Sequence, residues 1–226
     1  MDLCKILSKR PPTCFGFLEE DDSRFVLYPP TNSESTTNLT TITLANLLNG
    51  STLTRRQRYS LALTLASSYL QLSSTPWLTG PLRNDDILFL HDKTNGDSTL
   101  LDRPYICRDF SPRTPADSDR ALSTLGIRLL ELCFGTAIEC HKIRQQLPAG
   151  DDISTPMLDY AAALQWSRTV SEEAGPEFAE AIEWCLHGQA LRGDGWRKDI
   201  VKHVIDPLEY CHKQVALGRS GQECYY

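Results

Sequence analysis

The stretch Ala121-Leu122-Ser123-Thr124-Leu125-Gly126-Ile127-Arg128-Leu129-Leu130-Glu131-Leu132-Cys133-Phe134-Gly135 decides the fold class. Leu122, Leu125, Leu129 and Leu132 recur at helical spacing, and Ile127, Leu130, Cys133 and Phe134 fill much of the remaining circumference. A helix that is apolar nearly all round lies inside a domain with other elements packed on most sides. Gly135 supplies the stop, because glycine accepts the left-handed backbone that ends a helix.

Further helices surround this one in sequence. On the N-terminal side, Thr54 caps a long helix to about Leu72, with Tyr59, Ala62, Leu65, Ala66, Tyr69 and Leu72 as its buried stripe. Thr43 caps a short one over Leu44 to Leu48, ended by Asn49-Gly50. On the C-terminal side, Ser154 or Thr155 with Pro156 opens a helix whose modest apolar face is Met157, Ala161, Leu164 and Val170. Gly175-Pro176 starts another through Phe178, Ala181, Ile182 and Cys185. The last carries Ile200, Val201, Val204, Ile205, Leu208, Cys211 and Val215 on one broad face.

Strand signals are short. Cys14 to Leu18 and Arg24 to Tyr28 flank an acidic turn, Glu19 to Ser23, and read as a hairpin stopped by Pro29-Pro30. Thr31 to Thr41 reads as a loop, and Pro76-Trp77-Leu78 as a break after the long helix. Asp86 to Leu90 is a short apolar strand, and Tyr105 to Phe110 is its expected partner across a polar excursion, His91 to Asp102. Ser111 to Asp119, Pro148 to Asp152 and Gly188 to Gly195 read as irregular connections. The expectation is one mainly α domain over 14–215, with a short β-hairpin at its N-terminal edge and a second short strand pair. Residues 1–13 and 218–226 are expected to be flexible termini.

With 226 residues, 41% hydrophobic and 23% charged, the composition is that of an ordinary globular protein. A net charge of −6 argues against nucleic acid or anionic membrane as a partner. The densest basic cluster, Arg55-Arg56-Gln57-Arg58, fits the first turns of a helix. No apolar run approaches membrane-spanning length, and Met1-Asp2-Leu3-Cys4-Lys5 lacks a signal-peptide core. The eight cysteines are therefore expected to be reduced thiols of a cytoplasmic protein, a nuclear location also being compatible. Cys133, Cys185 and Cys211 fall on apolar helix faces, where a thiol packs as a small hydrophobe.

The order of these elements resembles the large lobe of a protein kinase, entered at the last two strands of the small lobe. The hairpin is similar to the strands leading into the kinase hinge, and Leu44 to Leu48 with Arg55 to Leu72 to the helix pair after it. Asp86 to Leu90 is similar to the strand after the catalytic loop, and Thr124 to Leu132 to the buried central helix. Ile182-Glu183-Trp184-Cys185-Leu186 resembles the helix near the end of that lobe. More narrowly, Leu63 to Leu72 with Thr75-Pro76-Trp77-Leu78, Pro104-Tyr105-Ile106, and Leu125 to Leu132 with Pro207-Leu208-Glu209 resemble a fungal, DUF7580-like family of uncharacterised kinase-like C-terminal domains. Some members of that family sit behind helical domains of the prion and cell-death type.

Phosphoryl transfer needs a glycine-rich loop, a strand lysine paired with a helix glutamate, a catalytic aspartate and metal-binding side chains. The thirteen residues before Cys14 are too few for the first three, and nothing around Lys5 or Lys9 resembles the lysine strand. The resemblance places Pro81 where the aspartate base stands, Arg83 where a lysine is usual, and Asp86 where the metal-binding asparagine is usual. Proline can neither accept a proton nor orient a hydroxyl. Asp109-Phe110-Ser111 imitates the metal-binding motif with serine in its glycine position, and Ala121 stands where the central helix holds an aspartate in active kinases. Asp86 and Asp109 are the candidate pair for a divalent cation if they converge, against solvated or helix-capping carboxylates.

Cys133, Cys140, His141, Cys185 and His187 suggest zinc only loosely, because no Cys-x-x-Cys pair is present. No Gly-x-Ser-x-Gly elbow supports a hydrolase. Trp184 and Trp196 are a candidate binding platform, against the plainer reading as core or its rim. The expectation is a non-catalytic, pseudokinase-like interaction domain with an unidentified protein partner, no cofactor and no resident metal, with an exposed strand-pair edge as the docking site. Its start at residue 1 suggests a truncated paralogue or a module that follows another domain. The alternatives are a residual nucleotide-binding or phosphotransferase enzyme using Asp86 and Asp109, and a structural fragment completed by a partner chain.

Overall fold

A computed structural model describes residues 16–20, 23–27, 39–50, 53–73, 75–78, 80–92, 98–107, 121–151, 153–187 and 195–217. The chain divides into two units, Met1–Leu39 and Thr40–Tyr226. In the first, β1 (Gly16–Glu20) and β2 (Ser23–Leu27) form the expected antiparallel hairpin. Its register pairs Gly16 with Leu27 and Glu20 with Ser23, so the strands reach further into the acidic segment than the sequence implied. Glu19 pairs with Arg24 in that register.

The second unit is mainly helical with a small antiparallel sheet. Strand β3 (Leu39–Thr43) begins on the last residue of the first unit and runs into α1 (Leu44–Gly50). The Thr43 hydroxyl accepts from the Asn46 N–H at 3.1 Å, the expected cap. Helix α2 (Arg55–Leu72) begins in a capping box: the Thr54 side chain accepts from the Gln57 N–H, and the Gln57 side chain accepts from the Thr54 N–H at 2.9 Å. Tyr59, Ala62, Leu65, Ala66 and Tyr69 are buried as the periodicity predicts, joined by Leu61. Pro76–Leu78 and Asn84–Asp86 are short 3₁₀ turns.

The sheet has the order β3-β4-β5, with β4 (Ile87–Asp92) and β5 (Ser98–Ile106). Two expectations change here. Residues 39–41, read as loop, belong to a strand, and β5 begins at Ser98 inside the segment read as a polar excursion. Leu88 pairs with Tyr105 but Leu90 with Leu100, so residues 101–104 stand opposite Phe89 alone. Such a bulge hides the two-residue period on which strand recognition rests.

The opening stretch is α3 (Ala121–Phe134), buried from Ala121 to Leu122 and from Leu125 to Cys133. It packs chiefly against α7 (Pro176–His187) and then α2. Gly126 makes the first contact possible: a Cβ there would meet Cys185 Cβ and Leu186 Cδ2 at 3.0 Å. Gly135 ends the helix at φ +68°, with its N–H on the Glu131 carbonyl at 2.7 Å. Across the core, the Arg58 guanidinium of α2 donates to the carbonyls of Leu132, at 3.4 Å, and Cys133. A cation on the last carbonyls of a helix satisfies orphan acceptors and opposes the helix dipole.

The chain continues through α4 (Lys142–Gln145), α5 (Thr155–Trp166), α6 (Val170–Ala174) and α7. Pro156 lies in the first turn of α5, but the buried face is Ala162, Ala163 and Trp166, with Met157 and Ala161 exposed. Of the expected face, Leu164 packs against the core and Val170 is buried. Buried Arg144 secures the preceding loop, donating to Asp159 at 2.5 Å and to the Pro148 and Ala149 carbonyls at 2.9 Å. The last helical run is α8 (Trp196–Ile200), a π-helical turn (Val201–Ile205) and α9 (Asp206–Leu217). The wider turn leaves Val201 exposed while Ile200, Val204, Leu208 and Cys211 stay buried. The linker 111–119, the loop 188–194 and both termini lie outside the described residues.

Gly126→Ala is expected to force α3 and α7 apart and cost about 1–3 kcal/mol, as overpacking of a tight contact does. Arg58→Met, which keeps the stem and removes the cap, is expected to cost about 1–3 kcal/mol through the uncapped carbonyls. Urea midpoints of the two variants against the parent measure both.

Candidate functional site

The carboxylates singled out in the sequence do not form a described pair. Asp86 is half-buried; its Oδ2 accepts from the Arg83 N–H at 3.1 Å, and its backbone carbonyl accepts from the Cys107 N–H at 2.8 Å. It closes the 3₁₀ turn and stitches the start of β4 to the end of β5. Asp109 lies outside the described residues. Pro81 and Arg83 lead into the same turn, Pro81 half-buried and Arg83 exposed.

The thiols sit apart from one another in role. Cys133, Cys185 and Cys211 are buried, while Cys107 and Cys140 are exposed. Burial pushes Cys133 up to about 12 and Cys211 up to about 11, and raises Cys185 further. These thiols are packing groups with little thiolate character. Cys140 donates to Asn49 Oδ1 at 3.4 Å, and His141 stacks on Trp166 with ring centroids 4.0 Å apart. Among the described residues no group of three His, Cys, Asp or Glu side chains is placed to share a metal ion. Trp184 stacks on His203, and the Arg197 guanidinium lies over Trp196, 4.4 Å from the ring centroid.

Two features that periodicity did not mark stand out. The first is a buried polar centre on α3. Glu131 is fully buried and accepts from Asn84 Nδ2 at 3.1 Å and 3.2 Å, from the Ile138 N–H at 2.8 Å, and from Arg128 at 2.8 Å. Burial, the largest influence, pushes the Glu131 carboxyl above its usual range; Arg128, the Ile138 N–H and Asn84 pull it back. This carboxylate joins the central helix to the turn before β4 and to the segment that follows Gly135. The sequence signal was there: Arg128 and Glu131 at i, i+3 interrupt an otherwise apolar helix.

The second is a groove of about 340 Å³ between α2, the Pro76–Leu78 turn and β5. Leu65, Leu72, Leu82 and Ile87 supply apolar wall, and Trp77 and Tyr105 line it while remaining 52% and 48% exposed. Leu82 and Ile87 flank the turn that Asn84 ties to Glu131, so the polar centre fixes one wall of the groove. The groove also gathers the residues that carried the resemblance, from Leu65 to Leu72, at Trp77-Leu78 and at Pro104-Tyr105-Ile106.

Over residues 13–214 the sequence matches the family described as Domain of unknown function (DUF7580). The chain belongs to that family. No curated protein and no solved structure matches it. Among the described residues of this DUF7580 domain no helix is long and apolar enough to cross a membrane.

Glu131→Ala strands the buried Arg128 charge and is expected to cost about 3–5 kcal/mol. The exposed Glu209–Lys213 pair, 2.7 Å apart, is the contrast; Glu209→Ala is expected to cost under about 1 kcal/mol. Because folding raises the Glu131 carboxyl, the fold holds its proton where the unfolded chain has lost it. Its contribution is full on the acid side and is lost as pH rises from the ordinary glutamate range through the raised value. Urea unfolding from pH 4 to 8 is expected to show parental stability falling relative to Glu131→Gln over that window. Under native conditions iodoacetamide is expected to alkylate Cys107 and Cys140 and to reach Cys133, Cys185 and Cys211 only on unfolding, as read by peptide mass spectrometry.

Proposed function

We propose that this domain is a non-catalytic, pseudokinase-like interaction module of a fungal intracellular protein, and that it engages protein partners at the groove between α2 and β5. The groove is the observation that carries the reading: an apolar concavity with Trp77 and Tyr105 about half exposed is the kind of surface that anchors a partner's side chains. Supporting it, the order of helices around α3 resembles that of a kinase large lobe, and the resemblance puts Pro81 where the aspartate base stands and Ala121 where the central helix holds an aspartate. Asp86 serves as the cap of a turn, which suits a scaffold more than a metal site. The resemblance to modules behind prion- and cell-death-type domains makes a signalling assembly the natural setting.

Trp77→Ala with Tyr105→Ala is expected to leave the melting temperature within a few degrees of the parent and to abolish recovery of the partners that the parent domain retains from fungal extract. The competing enzyme reading is separated by thermal-shift titration with ATP and Mg²⁺. No change is expected; a saturable, metal-dependent rise that disappears in Asp109→Ala overturns the non-catalytic reading.

A further inference from the structure

We propose that Asn49 is a modification site, at which the folded chain closes a succinimide with Gly50 and opens it with water to aspartate or isoaspartate. The pair occupies the last two residues of α1, and both are exposed. Inside a regular helix the side-chain amide carbon is held away from the next backbone nitrogen. At a helix end the backbone frays, and the two can meet. Glycine helps twice, having no side chain to screen its nitrogen and turning through dihedrals that other residues avoid. A Cβ on Gly50 would meet nothing within 4 Å among the described residues, so that rotation has room.

The chemistry needs only the chain and water. The Gly50 nitrogen bonds to the Asn49 Cγ and gives up its proton. The Cγ–Nδ2 bond breaks, and the nitrogen leaves with that proton as ammonia. Water then opens the ring at either carbonyl, which restores the backbone amide with an aspartate or runs the chain through the side chain as isoaspartate. During the attack, negative charge gathers on Asn49 Oδ1. The Cys140 thiol, 91 positions away in sequence, donates to that same oxygen at 3.4 Å. A thiol is a weak donor, but a donor already aimed at the oxygen where charge develops lowers the barrier. By holding Oδ1 it also leaves Nδ2, the departing nitrogen, turned away from the contact.

The product alters the fold at one place. Aspartate adds a negative charge to a chain of net charge −6 and puts it on the C-terminal end of α1, where the helix dipole is already negative. Helix α1 packs on the Asn84–Asp86 turn, whose Asp85 and Asp86 carry like charge. Isoaspartate adds a methylene to the backbone between α1 and α2. Neither product is undone by refolding, so the site records the age of the chain.

The whole chain is incubated in H₂¹⁸O at mildly alkaline pH, and peptide mass spectrometry follows residue 49. The expected result is a first-order gain of a single ¹⁸O there, as a mixture of aspartate and isoaspartate, absent in Asn49→Gln. The second Asn-Gly pair, Asn95-Gly96, lies outside the described residues and serves as the reference within each sample. Cys140→Ala is expected to slow the reaction at Asn49 by about two- to tenfold, the rate equivalent of one ordinary hydrogen bond, with Asn95 unchanged. Cys140→Ser, which keeps a donor, is expected to hold the parental rate. Conversion of Asn49 only after unfolding in urea, or none while Asn95 converts, overturns the site. A Cys140→Ala rate at Asn49 equal to or above the parent's, or a slowing shared by Asn95, overturns the part given to the thiol.

Discussion

One buried carboxylate holds this domain to its architecture. Glu131 lies in the last turn of a helix surrounded by apolar side chains, where an isolated charge is untenable. It survives because three donors from three places in the chain converge on it: Arg128 one turn earlier, Asn84 in the turn before β4, and the Ile138 backbone after the helix. A buried ion pair of this kind adds little net stability over an apolar replacement, but breaking it is costly. Its effect is to fix geometry. The sheet side of the core and the helical side are held in one arrangement because each supplies a ligand to the same two oxygens.

Around that point the central helix is secured at its end and along its flank. Arg58 reaches from α2 to its last carbonyls, and Gly135 turns the chain away with a backbone that other residues adopt at a cost. Gly126 lets α7 approach to the limit of contact. The groove follows from these constraints, since α2, Leu82 and Ile87 form its walls and are all held to α3.

Much of the helical framework was legible in the sequence. Thr43, Thr54, Pro156 and Gly135 do their work through hydrogen bonds or dihedrals within a few residues, so their identity is enough to locate the ends of α1, α2, α5 and α3. The strands were less legible. Residues 39–41 look like part of a Ser/Thr-rich loop until β4 is beside them, and the bulge at 101–104 breaks the alternation that would have extended β5 back to Ser98. The face of α5 was found only in part: Leu164 packs against the core and Val170 is buried, whereas Met157 and Ala161 are exposed and Ala162, Ala163 and Trp166 take the buried positions. Of the candidate site, Asp86 closes a turn and Asp109 lies outside the described residues, while Trp77 and Tyr105 read only as a helix break and a strand residue.

The sequence by itself determined the mainly helical class, the central helix, the caps and the burial of Cys133, Cys185 and Cys211, because each depends on local hydrogen bonding or on a periodicity carried within one element. Only the tertiary structure decided that Glu131 meets Asn84, 47 positions away, and that Leu65, Trp77 and Tyr105 share one groove. Those meetings depend on how α2, α3 and β5 pack together, and no local pattern of residue types encodes the distance between elements that touch only after folding.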